Sequence, residues 1–284
     1  MTEKFPSIST TSLPWSIPSS WFIEIAKSSW QLLTLPLLLF IVLPIVAIFL
    51  RITPADLLDS LNQAQVIKAV RLSLWTSLVT TIVTWIVGTP VAYLLAQRRF
   101  RFHRLVDTLI DLPTILPPAV AGVALLMAFG RRGLFGPWLE GFGINIPFTT
   151  SAVVIAQTFI ASPFYIKAAA LGFGAIDPEL KQAASLDGAS RLQVFRHITL
   201  PLSWAALLSG SVMTWARALG EFGATIIFAG NFPGRTQTMP LAIYVGFEIS
   251  QSIALTLAVI LISFSFLTLL IVKGFLYNRL ESDS

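Results

Sequence analysis

The sequence predicts an all-α, polytopic membrane protein with about six transmembrane helices. Of its 284 residues, 55% are hydrophobic and 12% are charged, whereas about 25% of residues are charged in soluble domains. Apolar runs near the ~20 residues that cross a bilayer recur along the chain. Helices are expected for these runs because they satisfy every backbone polar group within the segment. One long polar connection, 174–203, interrupts the apolar pattern.

The pattern divides the chain into three parts. Residues 1–31 are rich in serine and proline and predict a partly disordered tail, residues 32–273 form the membrane domain, and residues 274–284 form a C-terminal tail. The predicted spans are 32–50, 70–95, 105–129, 150–173 and 204–230, followed by a split stretch of 241–248 and 253–272.

Prolines mark the third span as irregular. It contains Pro113, Pro117 and Pro118, which are expected to break the helix and to free carbonyl groups that only a protein-lined or wet cavity accommodates. Broken helices often mark substrate paths in transporters. We therefore count Pro117 and Pro118 among the candidate residues for a translocation path or its structural support.

The polar connection predicts two short helices. An alanine-rich run precedes Gly188, which permits a bend, and an apolar face continues to Pro201. Pro201 is expected to end the second helix because proline has no N–H donor and clashes with the preceding turn. Arg191, Arg196 and His197 surround this second helix.

The distribution of positive charge predicts the orientation. Six spans place both termini on the same side, and this arrangement puts twelve lysines and arginines on the inner side and six on the outer side. Because inner loops carry the excess of positive residues, both termini and the connection 174–203 are predicted to be cytoplasmic.

Two ionisable residues lie inside the fifth span. Arg217 and Glu221 are four positions apart, which predicts one shared helical face. Charged groups at membrane depth usually face a partner or a water-filled path, so two interpretations stay open: a mutually neutralising structural pair, or a face that lines an anion route. Asp111, in the third span, either stays hydrated at the interface or pairs with Arg217.

The polar connection resembles the "EAA loop" of ATP-binding-cassette importer permeases. The resemblance rests on the spacing of Gln182, Ala183 and Ala184, then Gly188, then the run from Ile198 to Pro201; Gln182 stands where glutamate is usual. It implies a cytoplasmic coupling helix that docks into a cleft of an ATPase subunit. The residues that it places in the coupling loop are Gln182, Ala183, Ala184, Gly188, Arg191, Ile198, Leu200 and Pro201.

A second resemblance, to the molybdate-type permeases, covers residues 65–275. It rests on GEFGAT at 220–225, the turn residues 229–234, TQTMPLAIY at 236–244, and LPTILPP at 112–118 with Gly122. Ile226 and Phe228 are suggested as gate residues near the middle of the fifth span. The full set of candidates for the path or its support is Asp111, Pro117, Pro118, Arg217, Glu221, Gly223, Thr225, Ile226 and Phe228.

This resemblance implies a multi-pass subunit of a bacterial inner membrane that imports molybdate, and tungstate as well. The implied partners are a second copy of the chain, two ATPase subunits, a periplasmic or lipid-anchored oxyanion-binding protein, and membrane lipid, with no nucleic acid. A sulfate or thiosulfate permease is the alternative within the class. A secondary transporter and a non-transporting scaffold are the alternatives outside it.

Catalysis is not expected in this chain. It has no Gly-x-x-x-x-Gly-Lys-Ser/Thr phosphate loop, so ATP is expected to bind a partner subunit. No nucleophile–base–acid arrangement is apparent, and a chain with no cysteine and two histidines predicts no metal site and no cofactor of its own.

Overall fold

The computed structural model describes residues 19–97 and 101–282, and within these ranges every regular element is helical. The chain divides into two structural units, and helix α1 (Ser19–Arg51) is the described part of the first. Its segment Thr34–Arg51 has a mean hydropathy of 2.4, which agrees with the first predicted span. Residues 19–31 were predicted to be a tail but already belong to this helix; the rest of that predicted tail, 1–18, lies outside the described residues.

The second unit, residues 52–282, contains three further helices that are long and apolar enough to span a membrane. After the short α2 (Pro54–Leu61) these are α3 (Ala64–Ala96), α7 (Thr150–Gly174) and, at the end, α13 (Gln251–Ser282). Helix α3 begins six residues before the predicted span. Helix α13 continues through residues 274–282, which were predicted to be a tail.

The third predicted span is broken. Helices α4 (His103–Ile115) and α5 (Pro118–Phe129) meet at an angle of 116°, so the predicted break at Pro117 and Pro118 is confirmed. The predicted helix break at Pro113 is wrong. Pro113 is buried, and α4 continues through it to Ile115. The connection that follows contains the short helix α6 (Gly136–Gly141).

The polar connection 174–203 holds α8 (Pro178–Leu186) and α9 (Arg191–Leu202). Helix α9 meets α10 (Trp204–Leu219) at an angle of 71°. The predicted helix, bend and second helix are therefore confirmed.

The predicted continuous span 204–230 is wrong. Helix α10 ends at Leu219, Gly220 follows as its C-cap, and the chain becomes helical again only in α11 (Gly223–Phe228). The intervening Phe222 has φ −128° and ψ −56°, outside the helical range. After a turn-rich segment, α12 (Met239–Ile249) precedes α13. The predicted division of the last apolar stretch into 241–248 and 253–272 is therefore confirmed.

Helices α3, α7 and α10 pack together as the centre of this unit. A methyl group at Gly210 would lie 2.9 Å from the Ala168 Cβ, and one at Gly172 would lie 2.5 Å from the Ala206 Cβ. Small residues therefore let α10 approach α7 closely, as is common where helices cross in membranes. The Thr80 hydroxyl also donates to the Gln157 Oε1 at 3.1 Å, which joins α3 to α7.

Candidate coupling surface and translocation path

The two helices of the polar connection have well-formed ends. The Asp177 carboxylate accepts a hydrogen bond from the Glu179 N–H at 2.8 Å, which caps α8. Gly188, with φ +88°, reverses the chain in a conformation that only glycine adopts at little cost. Ser190 then begins α9 with a capping box, in which its N–H donates to the Gln193 Oε1 at 2.7 Å.

Pro201 lies near the end of α9, which continues one residue further to Leu202. The second helix therefore ends within one residue of the predicted proline, which is within the uncertainty of a helix boundary. The chain bends after Leu202, at Ser203. Of the predicted coupling residues, Ala184, Ile198 and Leu200 are half-buried, and those that are exposed are Gln182, Ala183, Gly188, Arg191 and Pro201.

Sequence reasoning missed the exposed leucines of this connection. Leu180, Leu186, Leu192 and Leu202 are 51%, 88%, 73% and 57% exposed; we call these four residues the coupling leucines. Large apolar side chains exposed on a polar connection are candidates for contact with another protein. The available signal was the recurrence of leucine in an otherwise polar segment.

An aromatic cluster joins α9 to the membrane helices. The ring centroid of Phe195 lies 5.1 Å from that of Tyr93 in α3 and 5.9 Å from that of Phe173 in α7. The Tyr93 and Phe173 centroids are 5.8 Å apart. Because edge-to-face aromatic pairs contribute about 0.5–1.5 kcal/mol each beyond the area that they bury, the cluster fixes the loop to two spans.

A lysine supports the same junction from α8. The Lys181 Nζ donates to the Phe173 carbonyl oxygen at 3.2 Å. Burial lowers the pKa of Lys181 below its ordinary value of 10.5, because removal from water disfavours the charged form.

Arg217 and Glu221 form the predicted pair. The Arg217 Nη1 donates to the Glu221 Oε2 at 2.9 Å, and the Ala224 N–H donates to the Glu221 Oε1 at 2.9 Å. Glu221 is 1% exposed, whereas the Arg217 side chain is 32% exposed. The predicted shared helical face is wrong because α10 ends at Leu219; Glu221 lies beyond it and connects α10 to the first turn of α11.

Asp111 does not pair with Arg217. The Lys167 Nζ donates to the Asp111 Oδ2 at 2.7 Å and to the Asp107 Oδ1 at 2.5 Å. This triad joins α4, the first half of the broken span, to α7. The sequence separation of 56 and 60 residues left no local pattern from which to predict it.

The other path candidates lie on α11, which packs along α5 from Pro118 to Phe129. A methyl group at Gly223 would lie 2.6 Å from the Pro118 Cβ, so α11 packs directly on the start of α5. Phe228 is fully buried in an apolar core, whereas Ile226 is half-buried. The Thr225 Oγ1 is buried without a hydrogen-bond partner among the described residues. The role of these residues as a gate stays a prediction.

The comparison with known proteins decides the family. Residues 88–281 match the family described as "Binding-protein-dependent transport system inner membrane component". This chain belongs to that family. It is therefore an inner-membrane, multi-pass transport permease, and the resemblance to ATP-binding-cassette importer permeases is confirmed.

Relatives of this permease match over most of their length. The molybdenum transport system permease proteins ModB of Mycobacterium tuberculosis and of Escherichia coli are 40% and 39% identical to it. These matches cover 79% and 72% of this chain and 85% and 90% of the relatives. The sulfate transport system permease protein CysT of Salmonella typhimurium is 33% identical, over 86% of this chain and 88% of its own.

Solved transporter structures share the fold of this permease. A chain of a bacterial ABC transporter involved in alginate import superimposes with a TM-score of 0.71 at 16% identity, covering 89% of this chain and 97% of that one. A chain of the MetNI methionine ABC transporter has a TM-score of 0.58 at 18% identity, covering 75% of this chain and 95% of that one. The predicted all-α permease fold is confirmed.

Proposed function

We propose that this permease is the membrane subunit of an ATP-driven importer that carries molybdate, and tungstate as well, into the cytoplasm. Two ModB relatives at about 40% identity support the choice of cargo. The coupling leucines on a loop anchored by Phe195 are the structural observation that carries the ATP-driven mechanism. They offer a docking surface for a partner and a stiff connection from that partner to the spans.

The proposed assembly is a homodimer of this chain with two ATPase subunits and a periplasmic or lipid-anchored oxyanion-binding protein. ATP binds to the ATPase subunits, not to this chain. When the ATPase subunits close, the coupling leucines move with them, and the aromatic cluster passes the displacement to α3 and α7. The two permease copies then rock as rigid bodies between inward-open and outward-open states. The excess of positive charge supports cytoplasmic positions for the loop and both termini.

Arg217 is the group that attracts the oxyanion in this proposal. A guanidinium carries five N–H donors, and one of those of Arg217 is used on Glu221. The partly exposed arginine therefore retains donors for an anion, while the buried Glu221 holds its orientation. Ile226 lies two residues from Ala224, which Glu221 caps, and is the gate candidate that remains partly accessible.

Sulfate is the second candidate cargo, because CysT is also related over most of its length. Both cargoes are tetrahedral dianions, so an arginine in the path does not separate them. Selection is instead assigned to the binding protein, since a tight site in the membrane would hold the anion rather than release it.

The test is uptake of labelled molybdate and labelled sulfate by proteoliposomes that contain the permease, its ATPase and its binding protein. We expect ATP-dependent molybdate uptake that a tenfold excess of unlabelled sulfate leaves largely intact. Sulfate uptake that exceeds molybdate uptake would support the second candidate. Uptake without the ATPase subunits would contradict the proposal and support a secondary transporter.

A further inference from the structure

A cavity of about 1060 Å³ lies where α3 and α7 approach the coupling loop. Its walls come from the last third of α3, the end of α7, and the facing sides of α8 and α9. We call it the basic groove because its lining contains two cations, Lys181 and Arg191, and no carboxylate.

One wall of the basic groove lies on α3, a helix long and apolar enough to span a membrane. Its lining runs along α3 from Trp85 to Gln97, which at 1.5 Å per residue corresponds to about 18 Å. Trp85 and Ile86, at the deep end, are 42% and 63% exposed. The groove thus combines an apolar wall on a membrane-spanning helix with a polar end beside the coupling loop.

The two cations at the polar end lack acidic partners. Lys181 donates to the Phe173 carbonyl oxygen, and neither Lys181 nor Arg191 forms an ion pair with another described residue. Burial already lowers the pKa of Lys181. An anion in the groove would offset the desolvation of Lys181.

We propose that the basic groove binds one anionic phospholipid, with its phosphate on Lys181 and Arg191 and an acyl chain along α3. Basic pockets between transmembrane helices bind anionic head groups by this combination of charges and depth. A soluble ATPase subunit can contact the polar end but not the wall that extends about 18 Å along α3. The bound lipid would touch α3, α7 and both loop helices, and so would stiffen the same junction as the aromatic cluster.

The test is lipid retention by the purified permease complex, measured by native mass spectrometry with equal amounts of phosphatidylglycerol and phosphatidylcholine. We expect about a tenfold preference for phosphatidylglycerol, equivalent to about 1.4 kcal/mol. Lys181→Gln and the double variant with Arg191→Gln should lose this preference. The matched control is Arg196→Gln, because Arg196 is exposed on the same loop helix but does not line the groove. A single cooperative unfolding transition in each variant would show that it remains folded.

A second measurement tests the position of the acyl chain. Phosphatidylglycerol with brominated chains should quench tryptophan fluorescence more in the wild-type complex than in Trp85→Phe. Brominated phosphatidylcholine should quench the two proteins equally. Equal retention of the two lipids, an equal loss of preference in Arg196→Gln, or displacement of the lipid by millimolar inorganic phosphate would overturn the proposal. Because none of these readouts measures transport, their failure is distinguishable from failure of the proposed function.

Discussion

The Phe195 ring of the coupling loop packs edge-on against the Tyr93 ring of α3, with their planes at 76° and their centroids 5.1 Å apart. Phe173, which is fully buried at the end of α7, contacts both rings. Because the three rings pack directly against one another, a displacement of Phe195 displaces both of its partners. A force applied to α9 therefore reaches two membrane spans through one side chain.

Removing this side chain should uncouple the transporter. Phe195→Ala removes two edge-to-face ring contacts and enlarges the basic groove that Phe195 already lines, at a cost of about 1–3 kcal/mol for the two lost aromatic pairs. We expect ATP hydrolysis by the complex to persist while uptake per ATP falls, as measured in the same proteoliposomes. Phe266→Ala is the control, because Phe266 is 62% exposed on α13. Normal uptake per ATP in Phe195→Ala would contradict the proposed connection.

The coupling leucines should bind the ATPase. Leu186 is 88% exposed at the end of α8, so Leu186→Arg should not disturb the fold but should place a charge in the docking surface. We expect the affinity for the ATPase subunit to fall about tenfold or more, a loss of about 1.4 kcal/mol or greater. The measurement is co-purification or binding of the ATPase to the permease in nanodiscs.

Leu134→Arg provides the matched control for Leu186→Arg. Leu134 is 80% exposed and lies in the connection before α7, at the end of that helix opposite to the coupling loop. It should leave ATPase binding unchanged. Equal weakening by the two substitutions would point to a general effect of the added charge and against a docking surface.

The sequence predicts those features that depend on local chemistry. The break at Pro117 and Pro118 was predictable because a residue that precedes a proline favours extended backbone, and two successive residues, Leu116 and Pro117, do so here, with ψ of 135° and 131°. The bend at Gly188 was predictable because glycine permits a positive φ. The end of α10 at Leu219 was not predictable by apolar length, since hydrophobic residues continue on both sides of Gly220. There the buried Glu221 accepts hydrogen bonds from Arg217 and from the Ala224 N–H, four and three positions away, and these local bonds stabilise the break between α10 and α11.

The remaining parts of the candidate site depend on contacts that are distant in sequence. Asp111 pairs with Lys167 instead of Arg217 because α4 packs on α7, and sequence alone does not specify which helices touch. The same holds for Phe195, whose partners Tyr93 and Phe173 come from two different spans. The periodicity of the sequence predicts which residues lie on one helix, but the packing of the helices determines which residues of other helices they contact.

Neutralising Arg217 alone should destabilise the permease more than neutralising Arg217 and Glu221 together. Arg217→Gln leaves a buried carboxylate whose remaining hydrogen-bond donor among the described residues is the Ala224 N–H, and removing one partner of a buried pair costs about 3–5 kcal/mol. Arg217→Gln combined with Glu221→Gln should unfold at a temperature closer to wild type than Arg217→Gln alone. Thermal unfolding of the purified permease measures this order.

Molybdate uptake by the same variants shows whether Arg217 attracts the anion or only stabilises the structure. We expect both proteins without Arg217 to lose molybdate uptake, including the more stable double variant, whereas Glu221→Gln alone should retain part of it. Full uptake by the double variant would remove Arg217 from the path and leave the pair a purely structural role.

Close packing of α11 on α5 should make Gly223 intolerant of a side chain. A methyl group there would lie 2.6 Å from the Pro118 Cβ, whereas the nearest atom to one at Gly220 would be 3.7 Å away. Gly223→Ala should therefore displace α11 from the start of α5, costing about 1–3 kcal/mol as overpacking does, while Gly220→Ala should be tolerated. Thermal unfolding and uptake of the two variants provide the comparison, and equal behaviour would contradict the packing argument.

Gly188 should be required for its backbone conformation rather than for its small size. Its φ is +88°, and no atom lies within 4 Å of a methyl group built there; a residue with a Cβ in a left-handed conformation costs about 1–2 kcal/mol. Gly188→Ala should thus shift α8 relative to α9 and lower uptake per ATP without affecting membrane insertion. Gly174→Ala is the matched control, since that site is equally open but lies at the end of α7 without a positive φ. If the two alanine variants transported equally well, the bend at Gly188 would not set the geometry of the coupling loop.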